Sequence, residues 1–311
     1  MSALLRFLQN VLFSFLFLPA LAWAAPTLDE LLAYERASLS EVKVIGTQKI
    51  IEGSIEVQDL EFDGTKGDER VQAYLVRPAA VAGSHPAVLY VHWFGPPEPD
   101  SNRTQFLEEA KDGARKGIVS LLVSTYWSDP ARYERRTWQT DFDNSLRAAR
   151  SLRRGLDILA AQPGVDARRI ALVGHDYGAM YGSLVAAVDT RVSTLVFIAG
   201  TGRFPEWFMF GSATGVPKGD ERAAFFRQFV PIDPVNVIGL SHARVFLQFG
   251  EKDMYTPRRA IIALYEAAPE PKRIATYPSE HEMRAPIIRT DREQWLHEQL
   301  FPQAVPQPAA H

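Results

Sequence analysis

The sequence predicts an α/β protein: a mostly parallel, doubly wound sheet entered through N-terminal antiparallel strands. Three observations predict it. Apolar runs at 87–91, 118–123, 170–173, 192–198 and 245–249 are continuous rather than alternating, the mark of strands buried on both faces. Helical patterns at 104–116, 142–161, 179–188 and 258–267 fall between those runs, and strands alternating with helices imply right-handed crossovers. Alternating segments at 50–57 and 71–77 come first and read as antiparallel strands. In such a sheet the ligand site lies beyond the carboxyl ends of the parallel strands.

The elements follow in chain order. Residues 1–24 read as a signal peptide: Arg6 supplies positive charge, 11–18 a short apolar core, and Ala22-Trp23-Ala24 a small-residue cleavage site. That core is shorter than a bilayer span requires, so the chain is expected to be exported (periplasmic or secreted) without stable membrane insertion after cleavage. The folded domain then occupies 25–301. Residues 27–37 form an amphipathic helical pattern, Asp63-Gly64-Thr65-Lys66-Gly67 a turn, and Pro78 stops the strand before it. A further strand is expected at 273–277. Residues 202–240 form an insertion between two strands and hold Phe204, Trp207, Phe208, Phe210, Phe225, Phe226 and Phe229. It reads as a candidate lid over the pocket or as helices packed on the sheet edge. Residues 302–311, rich in Pro and Ala, are predicted to be disordered.

Composition narrows the function. With 46% apolar and 23% charged residues the chain is ordinary for a globular protein. A net charge of -3 gives no electrostatic case for nucleic acid. Arg147, Arg150, Arg153 and Arg154 are spaced for the wet face of a helix rather than for a phosphate site. There is no cysteine, which removes disulfides, thiolate nucleophiles and zinc–thiolate sites. His281-Glu282-Met283-Arg284-Ala285 lacks the second histidine of a zinc-binding helix, and no Gly-rich phosphate loop precedes a helix. The expected partner is therefore a small-molecule substrate, with no metal and no cofactor. Nothing in the sequence speaks to oligomeric state.

The chemistry is concentrated at Val173-Gly174-His175-Asp176-Tyr177-Gly178. A strand pattern runs into this segment and a small-residue helix runs out of it. That is the setting of the nucleophile elbow, G-x-S-x-G, with Asp176 where the serine would stand. No G-x-S-x-G occurs elsewhere in the chain. Two more candidates follow at strand ends: Asp253, within Phe249-Gly250-Glu251-Lys252-Asp253, and His281, within Tyr277-Pro278-Ser279-Glu280-His281. His281 reads as the base and Asp253 as the residue that fixes its tautomer, with Glu251 and Glu280 the nearest rivals. A carboxylate, with a pKa of about 3.9, is a nucleophile without help from a base. It attacks an ester carbonyl poorly, because the product is an anhydride. It attacks a saturated carbon bearing a leaving group well, and His281 can then activate water to hydrolyse the resulting alkyl ester.

The order nucleophile, acid, histidine on three strand ends resembles the α/β-hydrolase fold, and the chain from 74 to 301 looks most like the dienelactone hydrolases within it. Val91-His92-Trp93-Phe94-Gly95 is similar to that family's segment before the oxyanion loop, and 165–174 to its lead-in to the elbow. The departure is Asp176, since those relatives carry cysteine or serine. Gly174-His175-Asp176-Tyr177-Gly178 instead resembles the elbow of haloalkane dehalogenases and epoxide hydrolases, although Tyr177 stands where the dehalogenases commonly place Trp, and the H-G-x-P segment of both is absent. The resemblance implies an oxyanion hole from the backbone N–H of Tyr177 and of Trp93 or Phe94. It also implies a pocket that includes His92, Tyr126, Trp127 and Trp207, with Tyr133, Tyr255, Trp93 and Trp138 as further candidate donors. Three readings follow: covalent hydrolysis of an epoxide, halide or related electrophile through Asp176; hydrolysis of a carboxylic ester or lactone with Asp176 as general base; or a binding protein that kept the fold.

Overall fold

A computed structural model of the chain describes residues 26–35, 43–44, 50–65, 70–80, 82–95, 98–210 and 215–301. The segments at 1–24 and 302–311, expected to be a signal peptide and a disordered tail, lie outside the described residues. The antiparallel part comprises β1 (Lys43–Val44), β2 (Ile50–Glu52), β3 (Ile55–Asp63) and β4 (Arg70–Pro78). The parallel part comprises β5 (His85–Val91), β6 (Val119–Val123), β7 (Val165–His175), β8 (Val192–Ile198), β9 (Arg244–Gly250) and β10 (Lys272–Tyr277). Sheet order is β1-β3-β4-β6-β5-β7-β8-β9-β10, with β2 paired to β3. From β6 to β10 every neighbour is parallel.

The continuous apolar runs are explained by a core on each face. In β5, Leu89 and Val91 enter one core while Val88 and Tyr90 enter the other. Leu89 aligns with Leu121 of β6 and Leu172 of β7, so each layer extends across strands. One face is covered by α4 (Asp141–Ala160) and α5 (Tyr177–Val188). The other is covered by α2 (Leu107–Arg115) and α10 (Pro286–Leu300), which bring Ala110, Ile288, Trp295 and Leu300. The remaining helices are α1 (Leu28–Leu31), α3 (Pro130–Glu134), α6 (Phe204–Phe208), α7 (Gly219–Phe229), α8 (Pro234–Val237) and α9 (Arg258–Ala267).

Several expectations are corrected. The 50–57 segment is not one strand: Gly53, at φ 62°, turns it into the β2–β3 hairpin. The helix expected over 27–37 is the single turn α1, closed by a capping box between Thr27 and Glu30. The arginines of α4 are not on a wet face. Arg150 and Arg153 donate to the carbonyls of Leu31 and Leu32, and Arg154 is buried. Helix α10 has no counterpart among the sequence expectations.

The described parts of the insertion, 202–210 and 215–240, contribute buried aromatic residues to the main core. Phe204, Phe208, Phe225 and Phe229 are buried and pack on one another, with Trp138 and Phe142 alongside. The Asp233 carboxylate accepts the Phe204 N–H at 3.0 Å and ties α6 to the start of α8.

Candidate active site

The strand ends converge above the middle of the sheet. Asp176, between β7 and α5, has φ 56° and ψ -120°, a conformation that side chains bearing a Cβ rarely adopt. The flanking glycines make that turn fit. A Cβ on Gly174 would strike the backbone of Gly178, and one on Gly178 would strike the Val91 carbonyl. The backbone is pinned as well: the Asp176 N–H donates to Ile198 at 2.8 Å, and its carbonyl accepts from Ala179 and Met180. Ala199 and Met283, at φ 48° and 52°, are the other described non-glycine residues at positive φ, and both sit on loops around the site.

Asp176, Asp253 and His281 are brought together. His281 Nδ1 lies 2.9 Å from Asp253 Oδ2, and Asp253 Oδ1 accepts the N–H groups of Tyr255 and Thr256 at 2.8 and 3.2 Å. His281 Nε2 lies 4.0 Å from Asp176 Oδ2, an ion-pair distance rather than a hydrogen bond. Neither rival acid takes that place: Glu251 and Glu280 are exposed, Glu251 facing Thr276, and Asp253 holds the ring.

The two oxygens of Asp176 differ. Oδ2 accepts the Phe94 N–H at 3.2 Å, whereas buried Oδ1 has no partner among the described residues. Of the two candidate loop donors, Trp93 is occupied, because its N–H donates to Gln105 at 3.0 Å. The Tyr177 N–H heads α5 and has no acceptor within the helix.

Charge follows from burial and pairing. Burial pushes the Asp176 carboxyl above its ordinary value, against the pull of His281 and the Phe94 N–H. Burial would lower His281, but Asp176 and Asp253 outweigh it and raise the imidazole to about 9. Burial likewise opposes ionisation of Asp253, yet His281 and the backbone donors hold it below the ordinary value.

A relay missed by the sequence reading joins the three loops. Gln105 Oε1 holds the Trp93 N–H, Gln105 Nε2 donates to His175 Nδ1 at 2.7 Å, and His175 Nε2 donates to the His281 carbonyl at 2.9 Å. Burial drives His175 well below its ordinary value, so it is the neutral imidazole this relay needs. Its place inside the elbow motif was the only sequence signal; Gln105 had none.

A cleft of ≈ 460 Å³ opens over His281 and Tyr177. Its walls include Trp93, Phe94, Tyr133, Trp207, Phe210 and Tyr255. Of the four pocket residues the sequence proposed, Trp207 lines this cleft. His92, Tyr126 and Trp127 do not line this cleft. His92 is buried beneath it, donates from Nδ1 to the Trp93 carbonyl at 2.5 Å and accepts the Thr125 N–H at Nε2; burial lowers it to about 4. Trp127 is in the core, donating to the Tyr181 hydroxyl, and Tyr126 stacks with Arg132 and Arg147 beside a separate small cavity. Trp138 packs on Phe225. Among the described residues no group of three or more His, Cys, Asp or Glu is placed to hold a metal, and no helix is long and apolar enough to cross a membrane.

This architecture is the α/β-hydrolase fold. No protein-family model and no curated protein matches the chain. Solved structures do. An acetyl xylan esterase from Paenibacillus sp. R4 superposes with TM-score 0.67 at 20% identity, covering 83% of this chain and 89% of that one. Acetyl xylan esterase 1 from Thermoanaerobacterium gives 0.68 at 18% identity, with 88% and 92% covered. A protein assigned as a dienelactone hydrolase from Klebsiella pneumoniae gives 0.56 at 19%, with 80% and 99% covered.

Proposed function

We propose that the chain is a hydrolase of carboxylic esters or lactones, with Asp176, His281 and Asp253 as its catalytic residues. The observation that carries this reading is the buried ion triad at the elbow, with an imidazole between two carboxylates at the floor of an aromatic cleft. The esterase and lactone-hydrolase names of the similar structures favour this substrate class over epoxides and halides.

The residues divide the work as an acid–base pair. Asp176, made more basic by burial, takes a proton from the attacking water. The water oxygen bonds to the carbonyl carbon, and the carbonyl oxygen takes the electron pair and is held by the Tyr177 N–H, while the Phe94 N–H stays on Asp176. Collapse breaks the acyl C–O bond, and His281, protonated at neutral pH, delivers its Nε2 proton to the departing oxygen. Proton transfer from Asp176 then restores His281.

A second reading has its own support. With Oδ2 on the Phe94 N–H and Oδ1 unpartnered, Asp176 is arranged to attack a saturated carbon directly. The leaving group then departs with the bonding pair, as halide or as an alkoxide that Tyr133 or Tyr255 can protonate. Alkylation removes the Asp176 charge that keeps His281 protonated, freeing it as the base for the second step.

Single turnover in ¹⁸O-water, with aryl esters, lactones, epoxides and haloalkanes as substrates, separates the two. The ester reading expects ester or lactone turnover that falls by about 10³-fold in Asp176→Asn and in His281→Gln, with label only in product. Label in the Asp176 carboxylate, or an alkyl adduct on Asp176 in His281→Gln, selects the covalent route. Ester turnover unchanged in Asp176→Asn would overturn the first reading, and epoxide or haloalkane turnover unchanged in it the second.

A further inference from the structure

The cleft over His281 combines an aromatic wall with acidic walls. Trp93, Trp207, Tyr133 and Tyr255 line it, as do Glu98 and Glu282, and none of its lining residues is a lysine or arginine. The cations nearby are paired with acids: His281 on the floor lies between Asp176 and Asp253, and Arg284, whose guanidinium also lies 5.9 Å from the centre of the Trp93 ring, is held by surface carboxylates. Arg284 donates to Glu98 at 2.7 Å and to Asp100 at 2.9 Å, so one guanidinium faces two carboxylates and the group stays negative. Arg136 lies behind the Tyr133 ring and is ion-paired with buried Asp141 at 2.8 Å. Glu282 makes no ion pair among the described residues. On the floor, His281 stands between two carboxylates. Aromatic faces attract cations through their ring quadrupoles, and a low-dielectric pocket with negative walls strengthens that pull.

We propose that the group this cleft receives carries a positive charge, a quaternary or protonated ammonium held against Trp93, Trp207, Tyr133 and Tyr255 and drawn in by Glu98 and Glu282. Resting on the hydrolase reading, this makes the substrate a cationic ester or lactone, with the ammonium on either side of the scissile bond. An uncharged aromatic or aliphatic compound would find the same apolar walls but would gain nothing from the glutamates.

The test uses a pair of probes equal in shape and different in charge: choline and 3,3-dimethylbutan-1-ol. Binding to the full chain is followed by calorimetry and by tryptophan fluorescence, at low and at high ionic strength. Choline is expected to bind at least about tenfold more tightly at low salt, with the advantage shrinking as salt rises. Glu98→Gln and Glu282→Gln are each expected to reduce that ratio about threefold or more. Equal affinity, or tighter binding of the neutral alcohol, overturns the proposal. If a variant fails to fold, the salt dependence of the unaltered protein decides. The readout needs no turnover, so the two readings fail separately. Choline preference without hydrolysis of any cationic ester leaves the cleft assignment standing and removes the hydrolase. Ester hydrolysis without choline preference does the reverse.

Discussion

Burial alone would strip the proton from His281, yet two carboxylates raise it to about 9, above the roughly 6.5 of an unfolded histidine. A group raised in the folded state stabilises it fully below its unfolded pKa and stops doing so as pH rises through its folded one. His281 should therefore contribute on the order of 3 kcal/mol below about pH 6.5, lost by about pH 9. Urea unfolding across that range should show stability falling with pH in the unaltered protein and a much flatter profile in His281→Gln; parallel profiles would sink the assignment. The same titration sets an alkaline limb on ester turnover, because only the protonated ring can serve as acid. How far these residues could be read in advance differs for physical reasons. The elbow was legible because its motif is contiguous and the steric demand on Gly174 comes from Gly178 within it, although Gly178 itself answers to Val91 on another strand. Asp253 and His281 were legible because each follows a strand, an apolar one before Asp253 and a more polar one before His281. His92 and Trp127 were placed in the pocket wrongly, since a position at a strand end does not say which way a side chain points. Gln105 was invisible, because its partners Trp93 and His175 come from distant segments.

At the scale of elements, the arginines of α4 show where periodicity misleads. Their spacing marks one face of a helix, but it does not say whether that face meets water or another part of the chain. Here α1 ends against it. Arg150 places its Nε and Nη2 on the Leu31 carbonyl at 3.1 and 2.6 Å, and Arg153 reaches the Leu32 carbonyl at 2.7 Å. These are the last carbonyls of a one-turn helix, which has no further turn to satisfy them. Leu28 and Leu32 meanwhile enter the main core, so the arginines fix the ends of a segment that the leucines bury. A charge-assisted hydrogen bond of this kind is worth about 1.5–3 kcal/mol. Arg150→Ala with Arg153→Ala is expected to raise amide hydrogen exchange at residues 28–32 by about tenfold or more while leaving the sheet protected. Uniform loss of protection across the sheet would mean that the contacts support the whole fold rather than this segment.

Across the whole molecule, the strand runs foretold a sheet buried on both faces but not what closes the second face, because α10 has only weak apolar patterning. What seats α10 is partly polar. Buried Arg292 donates from Nε and Nη2 to Glu109 of α2, at 3.0 and 2.6 Å, and from Nη1 to Gln248 of β9 at 3.0 Å. Gln248 in turn donates to the Tyr277 hydroxyl at 2.9 Å and the Ile288 carbonyl at 3.0 Å. Two helices and two strands thus share one network within an apolar layer of Phe106, Phe246 and Trp295. Desolvating both ions is costly, so the pair itself adds little net stability, but leaving one ion alone is costlier. Glu109→Leu should lose about 3–5 kcal/mol by urea unfolding, because Arg292 keeps its charge and loses its main partner. Arg292→Met in the same chain should recover most of that loss, since no uncompensated ion remains and apolar volume fills the layer. If the double variant is no more stable than Glu109→Leu, the network supplies α10 with more than charge balance, and the bonds through Gln248 are what seat the helix.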